Sequence, residues 1–341
     1  MPSPSLTGTV LNSKWRLGAL VGAGACADVY EAMDASAGAT AESGKFVAKI
    51  CPLPVDLPPR PQWKRKEEKK KADTLYHEHM LYRGFLLPRL RNLGCVVEIP
   101  IDGYGEDNNL RYLVMTRLGP DILTAKEAAN EKSEPWSESR TAGYALQMLK
   151  ILRALHERCE MVFVDVKPDN FLFGQPGSED EDKIFLVDFG LTETFTEYQG
   201  PIKLQTKGGV QGTPEYLSLK CHDGWKAGRC DDLESLGYVI VSMFKKGSSK
   251  LPWSDSTSIE DGLDIKTRTS VKKLCQGCPA GVLEYVKAVR DMAYGEEPNY
   301  EILNAKLQST ARAKRGRSPV ATAAGDSECP AKLRRSPRFS S

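Results

Sequence analysis

The chain of 341 residues has no apolar run approaching the roughly 18 residues that span a bilayer. Its longest apolar stretch, Leu236 to Phe244, suits one buried helix or strand, so no membrane partner is expected. The N-terminal residues Met1 to Thr7 offer neither a basic region nor an apolar core for a secretory leader, and secretion is not expected. A disulfide framework is missing as well. Nine cysteines lie scattered over a chain long enough to build its own core, as the small buried thiols of a reducing compartment would. Only Cys275 and Cys278 have metal-ligand spacing, and the second pair that structural zinc normally needs is not visible.

A large charge of one sign is also lacking, since the net charge is +2, but the distribution is uneven. Residues 309–341 carry eight Lys or Arg against Asp326 and Glu328, with a single aromatic. Such a segment buries too little surface to offset its ordering entropy and is expected to be disordered. Residues 1–13 read as an N-terminal extension and 14–308 as one domain. Within it, strands are expected over 15–22, 27–33 and 45–51, then a helix over 64–85 and strands near 96–104 and 111–116. Helices then dominate, over 137–157, 231–244 and 281–294, with short strands at 171–173 and 184–187. This is an α+β chain with a strand-rich lobe (14–116) and a helical lobe (119–308).

Chemistry enters with Gly22-Ala-Gly-Ala-Cys-Ala-Asp-Val29, between two expected strands, where small residues let backbone N–H groups approach phosphate oxygens. Alone it is a weak signal and reads more readily as an ordinary small-residue hairpin. Lys49 follows on a strand, and Glu78 lies on the next helix, where a carboxylate can hold that lysine against phosphates or simply face solvent. Val164-Asp165-Val166-Lys167-Pro168-Asp169-Asn170 puts an aspartate, a lysine two on and an asparagine five on into one loop. That spacing lets Asp165 accept a hydroxyl proton, Lys167 steady a γ-phosphate and the Asn170 amide oxygen bind Mg²⁺. Asp188, in Leu186-Val-Asp-Phe-Gly190, can hold the metal that bridges the β- and γ-phosphates.

In this order, these motifs resemble the protein kinase superfamily over residues 14–308, which implies the bilobal kinase fold, ATP and Mg²⁺. Val114 to Pro120, Arg229 to Tyr238 and Leu251-Pro-Trp253 are similar to the casein kinase I group. Ile184 to Leu191 and Tyr294 to Leu303 resemble its vaccinia-related kinase branch. The resemblance implies that Val21, Gly22, Gly24, Val29, Ala48, Lys49 and Glu78 form the ATP site, with Met115 as gatekeeper and Thr116 to Leu118 as the adenine hinge. It makes Asp165, Lys167, Asn170 and Thr213 catalytic and Asn170 and Asp188 metal ligands. Thr213 is expected to bond Asp165 and Lys167, and Asp232 to brace the catalytic loop. Lys167 implies serine or threonine as acceptor. The expected partners are proteins bearing those hydroxyls, chromatin proteins among them, with the chain a monomer.

The chain departs from the family pattern at Phe163-Val164, where His-Arg is usual, and at Ala27, where a third glycine is usual. These departures support an alternative, a pseudokinase scaffold binding ATP weakly or not at all. Retention of Lys49, Glu78, Asp165, Asn170 and Asp188 together opposes it. Without an arginine at 164, activity is expected not to need phosphorylation at Thr192, Thr194, Thr196 or Thr206. The run from Arg60 to Lys71 has seven positive and two negative residues and could contact nucleic acid by charge alone. No aromatic platform accompanies it, so a solvated helix start and a nuclear-import signal are the reading adopted. Lys314-Arg-Gly-Arg317 and Lys332-Leu-Arg-Arg335 in the tail are a second candidate signal, and the chain is expected in the nucleus, or in nucleus and cytoplasm.

Overall fold

Alternation of buried and exposed side chains from Trp15 onward builds a six-stranded antiparallel sheet. In the computed structural model, residues 5–24, 26–36, 44–54, 62–195, 207–247 and 249–312 are described. The strands are β1 (Val10–Leu11), β2 (Trp15–Ala23), β3 (Asp28–Asp34), β4 (Phe46–Pro52), β5 (Tyr104–Asp107) and β6 (Leu110–Thr116), in spatial order β1-β2-β3-β4-β6-β5. One face buries Trp15, Leu17, Tyr30, Ala48, Ile50 and Tyr112 in a core of their own. The other packs Val47, Cys51, Leu113 and Met115 into the main core. Because side chains alternate across a strand, this division decides which β4 residues face the cleft.

Val10 and Leu11 pair with Arg16 and Trp15, so the sheet reaches into the segment read as an extension. The sheet also curls until its ends meet. Asn12 donates to Asp107 (2.7 Å) and to the Tyr112 hydroxyl (2.7 Å), Lys14 to Asp102 (2.6 Å), and the Trp15 indole to the Asp102 carbonyl (2.8 Å). Of the strand expected over 96–104 only its last residue is in one, β5. Residues 96–103 are irregular backbone, with a turn closed by Gly103 N–H on the Pro100 carbonyl (2.9 Å).

Helix α1 (Gln62–Leu81) buries Ala72, Leu75, Glu78 and His79 at helical spacing, and Tyr82 continues the stripe. A π-turn over Tyr82–Leu86 leads into α2 (Leu87–Leu90). Pro88 accounts for the turn, because it has no N–H for the Gly84 carbonyl four residues back. The Arg89 guanidinium donates to that carbonyl instead (3.3 Å).

The second lobe begins with α3 (Ile122–Glu131), capped by Asp121, and α4 (Glu138–Cys159), capped by Ser137. Strands β7 (Met161–Val162), β8 (Phe171–Phe173), β9 (Ile184–Leu186) and β10 (Glu193–Thr194) form two small ladders, β7 with β10 and β8 with β9. Then come α5 (Leu219–His222), α6 (Arg229–Phe244), α7 (Ile259–Arg268), α8 (Val271–Leu274), α9 (Ala280–Arg290) and α10 (Tyr300–Arg312). Nearly all of α6 is buried, and α4 and α9 pack against it. Helix α10 runs past the boundary drawn at residue 308, with Thr310 buried against Gly281. The basic tail from residue 313, Thr196 and Thr206 lie outside the described residues.

Candidate active site

Lys49 leaves β4 on the face it shares with Val47 and Cys51, toward α1. Its ammonium lies 2.8 and 2.9 Å from the two Glu78 oxygens and 3.2 Å from Asp188. Glu78 is buried and also accepts the Phe189 N–H (3.3 Å). Burial pushes the Lys49 ammonium down, but the Asp188 and Glu78 carboxylates outweigh it and hold its pKa above the ordinary lysine value. Lys49 in turn holds Asp188 below the usual carboxylate range, against burial.

The loop after β7 hangs from α6. Asp232 accepts the N–H groups of Phe163 (2.6 Å) and Val164 (2.9 Å), and His156 lies 3.0 Å from the same carboxylate. The second ring nitrogen of His156 lies 2.7 Å from the Tyr300 hydroxyl. Gripped so, Val164 adopts φ 74°, a left-handed conformation that a β-branched residue holds only where its surroundings enforce it. Phe163 is fully buried and meets Phe189 edge-on (5.4 Å between centroids), which meets Tyr82 in the same way (5.3 Å). This aromatic column ties the loop to the π-turn that follows α1, without a histidine at 163.

Asp165 follows. One of its oxygens accepts the Thr213 N–H and hydroxyl, both at 2.8 Å, and the other pairs with Lys167 at 2.8 Å. The Asn170 amide nitrogen donates to the Asp165 carbonyl (2.9 Å), which leaves its oxygen as the end for a cation. Gly212, at φ 96°, lets the chain reach Thr213, since a Cβ there would stand 3.2 Å from the Asp165 carboxylate. Burial works against the Lys167 charge, but the bond to Asp165 and that carboxylate's charge keep its pKa above ordinary.

Gly22, Gly24, Cys26, Lys49, Asp165 and Asp188 line one cavity of about 420 Å³, and Glu78, Val29, Lys167 and Asn170 also face it. A Cβ on Gly24 would come within 2.9 Å of the Ala27 carbonyl that its own N–H bonds, so the tight turn requires glycine. Carboxylate and amide oxygens beside a lysine fit a hard divalent cation and phosphate. Val21 is half exposed on the strand entering the loop. Met115 is buried and pairs with Val47, Thr116 donates to the Glu98 carbonyl (3.1 Å), and Leu118 is half-buried against the main core. One assignment is corrected. Ala48 is buried in the outer core with Ile50, and Val47 shares the face of Lys49.

Sequence reasoning missed His156 and Tyr300 behind Asp232, and Lys266 beneath Thr213. The one available signal was the place of His156 on the stripe of α4.

A protein kinase domain model matches residues 63–287. Casein kinase I homolog 3 of Schizosaccharomyces pombe is 31% identical over 254 residues, covering 72% of this chain and 55% of that protein. Casein kinase 1-like protein HD16 of Oryza sativa is 35% identical over 213 residues, 61% of this chain and 29% of that protein. Casein kinase I homolog 2 of Saccharomyces cerevisiae is 27% identical over 305 residues, 86% and 49%. The chain thus spans about half the length, or less, of these curated relatives. With two thirds of its length matched by the domain model and the lysine, aspartates and asparagine gathered in one cleft, the chain belongs to the protein kinase family.

Proposed function

We propose that the chain is an ATP-dependent kinase that phosphorylates serine or threonine in proteins. The observation that carries this is the placing of Lys49, Asp188, Asn170 and a braced Asp165 around one cavity. When bound, ATP would supply the phosphoryl group and magnesium on Asp188 and the Asn170 oxygen would neutralise phosphate charge. Asp165 orients the incoming hydroxyl and takes its proton. Thr213 and Lys167 hold that carboxylate from either side, so little reorganisation is needed when the acceptor arrives. Lys49, held by Glu78, presents a fixed positive charge to the phosphates.

Similarity to casein kinase I proteins supports serine and threonine as acceptors. Residues 184–191 and 294–303 support placement in the vaccinia-related branch, and the two basic clusters of the tail support nuclear substrates. Labelled ATP with Mg²⁺ and casein or histone tests the activity. Wild type should yield phosphoserine or phosphothreonine and Asp165→Asn almost none, while a product dominated by phosphotyrosine would refute the acceptor class. A fluorescent fusion ending at Arg312, which keeps α10 whole, should lose nuclear enrichment. Retained enrichment would move the signal to residues 64–71.

A further inference from the structure

Beneath Thr213 lies a lysine that the site described above does not use. Lys266, on α7, is 0% exposed, and both of its hydrogen bonds go to backbone carbonyls, of Pro214 (2.9 Å) and Leu217 (2.7 Å). Its ammonium also lies over the rings of Trp253 (5.0 Å) and Tyr238 (5.2 Å), which meet edge-on. We propose that Lys266 is the latch of the acceptor-side loop, a positioning residue that fixes residues 213–217 and through Thr213 the proton-accepting face of Asp165. The proposal rests on the reading of Asp165 as the base.

The loop is held at every carbonyl from 213 to 215, and again at 217. The Thr213 carbonyl accepts the N–H groups of Tyr216 (2.9 Å) and Leu217 (3.1 Å). The Glu215 carbonyl accepts the Trp253 indole (2.7 Å), and the Glu215 carboxylate bonds the Ser254 hydroxyl. Among the described residues Lys266 is the side chain that bonds the carbonyls of both Pro214 and Leu217, so its removal frees Pro214, the immediate neighbour of Thr213. Packing does not explain a lysine here, since an apolar chain of the same length fills the space without desolvating a charge. Glu234 and Tyr238 on α6, Arg290 on α9, and Glu215, Cys221 and His222 before and within α5 are the titratable groups around it. Glu234 is engaged by Tyr238 and by Arg290 (3.8 Å) rather than by Lys266. Burial, only partly offset by Glu234, brings the Lys266 ammonium down to about 7. What the lysine adds is donors aimed at the loop.

The test compares wild type with Lys266→Met, which keeps the length and removes the donors, and Lys266→Gln, which keeps two N–H donors. In Lys266→Met, kcat/KM for a peptide acceptor should fall up to about a hundredfold, the scale of a small misplacement of reacting groups, with ATP affinity within about twofold. Lys266→Gln should lie between. Amide exchange at Thr213, Tyr216 and Leu217 should quicken at least about tenfold in Lys266→Met, a readout independent of catalysis. If wild type transfers no phosphate yet these amides loosen, the reading of Asp165 as the base fails while the anchoring of residues 213–217 by Lys266 stands. A folded Lys266→Met with unchanged exchange and peptide kinetics overturns the latch. Should that variant not fold, Lys266→Gln decides, and a parallel loss of ATP affinity and peptide turnover there would also overturn it.

Discussion

Thr213 gives a single oxygen of Asp165 two hydrogen bonds, from its N–H and its hydroxyl, both at 2.8 Å. Thr213→Val removes the second and leaves the first. Turnover should fall about tenfold, Thr213→Ser should recover most of it, and Asp165→Asn should lose about 10²- to 10⁴-fold, the range for proton transfer by a positioned base. Steady-state kinetics with one peptide acceptor checks all three. Equal rates for Thr213→Val and wild type would remove Thr213 from the site.

Lys49 and Glu78 share a buried ion pair, and breaking it from one side leaves a charge without its partner. Lys49→Met should abolish transfer and cost about 3–5 kcal/mol of stability, while Lys49→Met with Glu78→Gln should recover part of that cost. The raised pKa of Lys49 sets the sign with pH. Its stabilising contribution is complete below the ordinary value of 10.5 and is lost as pH rises through the folded value. The stability gap between wild type and Lys49→Met should therefore be level at neutral pH and shrink only above 10.5. Denaturant unfolding across that range measures it.

His222 is buried, donates its Nε2–H to the Ile259 carbonyl (2.9 Å), and carries a pKa pushed down to about 4 by burial first and by Lys266 second. The unfolded chain binds this proton near 6.5, so the folded state loses stability as pH falls from 6.5 toward 4. The loss should reach at most about 3 kcal/mol. His222→Gln should flatten that part of the curve in urea titrations at pH 7, 5.5 and 4.5. A slope equal to that of wild type would show that the histidine does not drive it.

Val164 places an apolar side chain where many kinases have the arginine that pairs with an activation-segment phosphate. Thr192, one of the candidate hydroxyls, is 2% exposed, its N–H on the Phe189 carbonyl (3.1 Å), whereas Thr194 is exposed on β10. Bacterially expressed protein should be active, and phosphatase treatment or Thr194→Ala should change its rate by less than about twofold, because no buried charge at 164 awaits a phosphate. Silencing by phosphatase would refute this.

Much of the site was legible because it lies in short local strings. Asp165 to Asn170 and Asp188 to Gly190 set their candidate groups in fixed spacing, and Glu78 shares helical spacing with the buried Leu75 and Tyr82. What failed was whatever depends on which side of an element meets which neighbour. Ala48 and Val47 differ by one position, which in a strand is the difference between opposite faces. Residues 96–100 have apolar content, but it is used to cover the core from irregular backbone. Lys266 was invisible, because a lysine in a polar helix reads as solvated until a loop about fifty residues earlier in sequence folds over it.

The curl that brings Asn12 and Lys14 against Asp107 and Asp102 has a consequence for colloidal behaviour. Strands β1 and β5 are the two free margins of the sheet, and they are screened by side-chain contacts rather than by a continuous ladder. A chain trimmed to begin at Trp15 would keep every residue lining the candidate cleft yet bare the margins of β2 and β5 together. Unpaired margins of that kind recruit strands from other molecules. Self-association on concentration, with the chemistry intact, is the behaviour such a trimmed protein would show.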